Sequence, residues 1–211
     1  MAPRDDAAPG RDDSTEDVLR LLRSATAAEH GAVERTLDLG DAGLDRSRLV
    51  AVLTRLHGFW VAAEAGLDAW AVRCPADADT VAWLRRRRAR LFAADLAALG
   101  AAGLSQRPEL AELAGTGEAL GRMYVLEGST IGGTFIDRHL GGLPGLAGVR
   151  LRAFSPYGAD TGAMWQSFRR FTRDHVAGGG DAEAVVDAAR DTFGALAEWC
   201  RPATRLASAG G

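Results

Sequence analysis

Lysine is absent from this 211-residue chain, so all 25 of its permanently charged basic residues are arginine. Any anion held here by such a cation is held by a guanidinium, which can grip a carboxylate through two hydrogen bonds. Cysteine is nearly absent. Cys74 and Cys200 form no CxxC pair, and two cysteines do not make a disulfide framework. No apolar run approaches the roughly eighteen residues of a membrane span. A net charge of −3 supplies no basic footprint for nucleic acid. The opening residues MAPRDDAAPGRDDSTED lack the apolar stretch of a signal peptide. They read as a disordered tail over 1–14, with a second flexible end over 203–211, and the expected location is cytoplasmic.

Strand-like alternation and β-branched runs are also missing, and alanine and leucine dominate between Val18 and Trp199. The expectation is an all-α fold, a single multi-helix bundle spanning 15–202. A first helix is predicted from about Thr15 to Leu37, and a second from Asp45 through LTRLHGFWVAAEAGLDAW. CPADAD reads as a loop with a helix start, and TVAWLRRRRARLFAADLAAL as one further helix with an exposed basic turn at Arg85–Arg88. Another helix is expected from Pro108 into the glycine-rich stretch 128–133 and on to Leu140. Irregular chain follows as far as SPYGADTG, and two last helices close the fold.

Three groups of residues are candidates for chemistry. In LRSATAAEHGAVE, seven positions separate Arg23 from His30, two helical turns that place both on one face. His30 and Glu34 are four apart, so the carboxylate can meet one imidazole nitrogen and leave the other for a metal. Taken alone, the same pair serves equally as a structural His–Glu contact. In YVLEGSTIGG, glycines 128, 132 and 133 each cost a helix about 1 kcal/mol relative to alanine. That suits a helix whose backbone something must approach closely, or a helix end followed by a new helix. In SPYGADTGAMWQSFRRF, Trp165, Phe168 and Phe171 have core spacing and Arg169 lies beside them. His57, His139 and His175 lack a partner at ligand spacing and read as structural.

Together these segments resemble the haem oxygenase family, most closely its bacterial, biliverdin-producing branch associated with bacteriophytochromes. The similarity runs from LRSATAAEH to TFGALAEW, with the three motifs in order. The resemblance implies haem held between a proximal helix and a kinked distal helix. It makes His30 the proximal iron ligand and Glu34 its orienting partner. Gly128, Ser129, Gly132 and Gly133 become the distal helix over the oxygen site. Arg23 falls where the family commonly places a lysine for a haem propionate, and Tyr124 and Arg169 become further propionate-side contacts. Ser129 stands where the animal enzymes carry an aspartate that organises the distal water.

The activity so implied is oxidative cleavage of haem to biliverdin, releasing CO and ferrous iron, with O2 as oxidant and haem as both substrate and prosthetic group. No flavin or nicotinamide fingerprint is present, so electrons must come from an external ferredoxin or flavoprotein reductase, with Arg85–Arg88 as a docking face. A bacteriophytochrome is a further expected partner, as acceptor of biliverdin. The alternative is a haem carrier or sensor without turnover. A di-iron oxidase would need paired Glu-x-x-His motifs, which none of the four histidines supplies. A thiaminase-type enzyme would need a cysteine nucleophile, for which Cys74 beside Pro75 is poorly placed.

Overall fold

The computed structural model describes residues 17–143, 146 and 148–205, and among these there is helix but no strand. The expected tail over 1–14 lies outside the described residues, as does 206–211 of the tail expected over 203–211, whose first three residues instead continue the last helix. The helices are α1 (Val18–Ala25), α2 (Ala27–Leu37), α3 (Arg46–Arg73), α4 (Pro75–Thr80), α5 (Trp83–Arg86), α6 (Ala89–Ala98), α7 (Thr116–Gly142), α8 (Thr161–Ala177) and α9 (Ala182–Arg205).

Acidic side chains cap the starts of α1 and α3. Asp17 accepts from the Leu19 amide at 3.2 Å, and Asp45 from the Arg48 amide at 2.7 Å. At α7 the Glu118 carboxylate reaches back to the Gly115 amide at 2.9 Å. Three boundaries differ from expectation. The first helix is divided at Thr26, whose hydroxyl donates to the Leu22 carbonyl at 2.7 Å while its backbone leaves helical geometry. The helix expected from Pro108 begins only at Thr116. The helix expected around the arginine run is split into α5 and α6, because Arg87 is extended and Arg88 is non-helical. α7 itself runs unbroken through its glycines.

The split has an electrostatic cause, and it overturns the exposed basic turn. Arg85 and Arg87 stay at the surface on Asp160 and Asp68, at 2.6 and 3.1 Å. Arg86 and Arg88 point inward, 3% and 1% exposed. Arg86 forms a buried ion pair with Glu127 of α7, donates from Nε to the Val81 carbonyl at 2.6 Å and from Nη2 to Ser167 of α8 at 3.0 Å. Tyr157 completes the Glu127 carboxylate at 2.8 Å. The buried Glu64 of α3 takes the amides of Arg88 and Ala89 at 2.5 and 2.7 Å, so α6 is capped from another helix.

α7 and α9 share the most extensive interface in the molecule. A Cβ on Gly121 would collide with the Val185 carbonyl, so only glycine permits that crossing. Around it, α3 supplies Leu49, Leu53, Leu56, Phe59, Leu67 and Trp70, all fully buried.

Two outcomes test this packing. Glu127→Ala leaves the Arg86 charge buried and alone, an expected loss of about 3–5 kcal/mol in urea unfolding. A cycle with Arg86→Met should then be strongly non-additive. Asp17 also pairs with Arg173 of α8 at 2.8 Å, and that hydrogen bond, ahead of the others, holds its carboxyl below the usual range. A lowered folded pKa contributes stability above the unfolded value of about 3.9, lost as pH falls through the folded value. Asp17→Asn retains a capping side chain. It should therefore be less stable than the wild type at pH 7 by at most about 1 kcal/mol, with the gap closing below pH ~4.

Candidate functional site

Where α9 passes α7, the ring of Phe193 gathers the predicted site residues. His30 on α2 meets it edge-on at 5.5 Å between ring centroids, and Tyr124 on α7 meets it at 6.5 Å. Tyr124 also lies 6.0 Å from Trp165, which stacks on Phe168 at 5.5 Å. The aromatics of SPYG–W–F therefore pack as the spacing predicted. Beyond Phe193, α9 turns to α3, where Trp199 donates to the Arg55 carbonyl at 2.8 Å.

His30 and Glu34 face one another at 3.7 Å, between Nδ1 and Oε2, with both side chains more than half exposed. The carboxylate stands at Nδ1, which leaves Nε2 as the free ligand atom. Arg23 stands on α1, across the break at Thr26, so the shared helical face argued from the two-turn spacing does not apply. Tyr124 brings the groups together instead. Burial raises the pKa of its hydroxyl, which meets the Thr26 side chain, and the positive fields of Arg23 and Arg169 oppose that rise. The fields of two cations, from α1 and α8, thus both reach one phenol from α7.

The four predicted distal residues divide between two faces of α7. A Cβ on Gly128 or Gly132 would meet nothing within 4 Å, and these two positions front open space. Ile131 and Phe135 continue that stripe with unusual exposure, 47% and 67%. Ser129 and Gly133 lie one position on, about 100° around the helix, and face the interior. A Cβ on Gly133 would run into the Phe154 carbonyl, so its missing side chain serves the packing of the 150s segment. The Ser129 hydroxyl donates to the Leu126 carbonyl at 2.7 Å and accepts from Arg88 Nη2 at 3.0 Å. Its proton is already committed within the fold.

Arg88 is what reading the sequence missed. Its guanidinium lies under α7, bonded also to the carbonyls of Leu126 and Ala153, with Trp60 beneath it at 5.0 Å. Burial lowers its pKa, and Glu127 foremost, then Tyr157 and Glu64, raise it. Glu127, Tyr157 and Glu64 were likewise not singled out. The only signal was four consecutive arginines, a pattern that reads as a solvated face.

Cys200 is fully buried and its thiol is pushed up to about 12, which removes it as a nucleophile. Among the described residues, no group of three or more His, Cys, Asp or Glu side chains could cage a bare metal ion. No helix among the described residues is long and apolar enough to cross a membrane.

The two adjacent glycines of α7 give opposite expectations for one substitution. Gly132→Ala in the ligand-free protein should be neutral or gain up to about 1 kcal/mol from helix propensity. Gly133→Ala should lose about 1–3 kcal/mol, because backbone must move to admit the methyl group. Urea unfolding of both variants checks the two-face assignment.

The sequence matches no protein-family model and no curated protein. The fold does match a solved structure, the NO- and CO-bound haem oxygenase from Neisseria meningitidis. That match has a TM-score of 0.71 at 19% sequence identity and covers 89% of this chain and 92% of the other.

Proposed function

From the helical haem oxygenase fold as its premise, we propose that this protein binds haem between α2 and α7 and opens the ring to biliverdin, with release of CO and ferrous iron. The observation that carries the reading is the stripe Gly128, Ile131, Gly132 and Phe135. It is an exposed apolar face with two gaps where side chains are missing, on the helix that shares Phe193 with His30. A flat hydrophobic ligand fits such a face.

In this reading His30 is the proximal ligand through Nε2, and Glu34 accepts from Nδ1–H, orienting the ring and raising its basicity. Arg23, Arg169 and Tyr124 take the propionates, the two guanidiniums by charge and the phenol by hydrogen bonding. Gly128 and Gly132 admit the ring to the α7 backbone. Ser129 and Gly133 fix that backbone from behind, through Arg88 and Phe154. When bound, haem supplies the redox chemistry with O2 and electrons from outside the chain.

The electron donor is a ferredoxin or flavoprotein reductase. Of the Arg85–Arg88 run, only Arg85 and Arg87 are open to such a partner, because Arg86 and Arg88 are buried. A bacteriophytochrome is the proposed acceptor of the product, and the chain's proposed location is the cytoplasm.

Haem titration followed by ascorbate or a ferredoxin system tests this. The Soret band should form, decay under reduction, and give biliverdin on chromatography. A Soret band that persists after confirmed iron reduction overturns the enzyme reading in favour of a carrier. His30→Ala should retain weak haem binding without turnover, partly restored by imidazole. Glu34→Ala should lower activity about 10–100-fold.

A further inference from the structure

On the side of α7 away from the haem stripe, Arg122 is 3% exposed and has no carboxylate partner among the described residues. Of its five donors, one is used among the described residues, from Nη2 to the Ala111 carbonyl at 2.5 Å. Nε is buried with no acceptor. Burial brings the guanidinium down to about 10, which leaves it charged at neutral pH. A buried, nearly bare cation is expensive, and the other buried arginines avoid it with Glu127 or with several carbonyls.

Arg122 lines a half-open cavity of about 260 Å³, bounded by Ala62, Gly66 and Ala69 of α3 and by Pro108 and Leu113 of the segment before α7. Arg73 stands on its wall and spends its own donors on the Ala69 and Leu113 carbonyls. Glu112, exposed, is the one acidic residue on the lining. The guanidinium lies against Gly66, where an added Cβ would displace Arg122 Nη1 from its place. The remaining side chains on the lining are apolar, and the space exceeds the ~150 Å³ that holds benzene in an engineered protein cavity.

We propose that this cavity is a binding site for a small organic carboxylate, with its anionic end on the Arg122 guanidinium and its apolar body against Ala62, Ala69, Pro108 and Leu113. The carboxylate accepts from Nη1, a charge-assisted contact that a neutral ligand does not make. This site does not depend on the haem reading, because it lies across α7 and uses none of the haem residues.

Calorimetric titration of the full chain at fixed ionic strength, with benzoate as probe, tests it. Benzoate should bind saturably at one site per chain, and benzyl alcohol, the same shape without charge, should not bind. Gly66→Ala should weaken benzoate about tenfold by displacing the guanidinium, the loss of one charge-assisted contact. Arg122→Met should abolish binding. Should that variant fail to fold, Gly66→Ala decides alone, because the added methyl group meets only the mobile ends of side chains. Arg23→Gln should leave benzoate affinity unchanged. Absence of saturable binding by the wild type, wild-type affinity in Gly66→Ala, or loss in Arg23→Gln each overturns the assignment. Sulfate bound as tightly as benzoate overturns the organic carboxylate class.

Discussion

The ion pair between Arg86 and Glu127 is the constraint around which the molecule is arranged. Both side chains are almost wholly out of water, and neither is tolerable there without the other. To reach Glu127, the arginine run has to leave helical geometry at Arg87 and Arg88. That break separates α5 from α6 and obliges Glu64 to cap α6 from α3. The same break turns Arg88 under α7, where it holds Leu126, Ser129 and Ala153 together. Tyr157, bonded to the other oxygen of Glu127, draws the 150s segment close enough to require glycine at 133. One buried charge pair thus sets the inner face of the helix whose outer face is the candidate ligand surface.

Much of the fold was legible in the sequence because it rests on local rules. Asp45 caps α3 where its position before an apolar run said it would, and Trp165 with Phe168 packs as core spacing requires. The failures were non-local. Nothing around Thr26 announces a break, since a threonine hydroxyl returning to the carbonyl four residues earlier is compatible with either a bent helix or two. Four arginines in a row read as solvated because buried arginines need partners distant in sequence, here 41 residues away in the case of Glu127. The segment before Thr116 composes well as helix but is held instead as a strap, with Ala111 and Leu113 carbonyls spent on arginines.

The candidate site was legible in membership and less so in arrangement. The His30–Glu34 pair follows from helical spacing alone. The convergence of Arg23, Arg169 and Tyr124 depends on three separate helices, so no local pattern could show it. A cluster of glycines was visible, but a sequence cannot tell which missing side chain makes room for a ligand and which makes room for the protein's own backbone. Helical phase decides that: positions 128 and 132 look outward, and 129 and 133 look in.

Gly121 has a mechanical consequence. At that residue the backbones of α7 and α9 touch without an intervening side chain, so neither helix can slide or roll there without collision. The crossing is a fixed fulcrum. The space between α2 and α7 can then widen by bending of the α7 arm beyond it. Gly128 and Gly132 lie on that arm, seven and eleven residues out, where absent side chains leave the helix most compliant. The lever and its soft point belong to the same strip of chain that would receive the ligand.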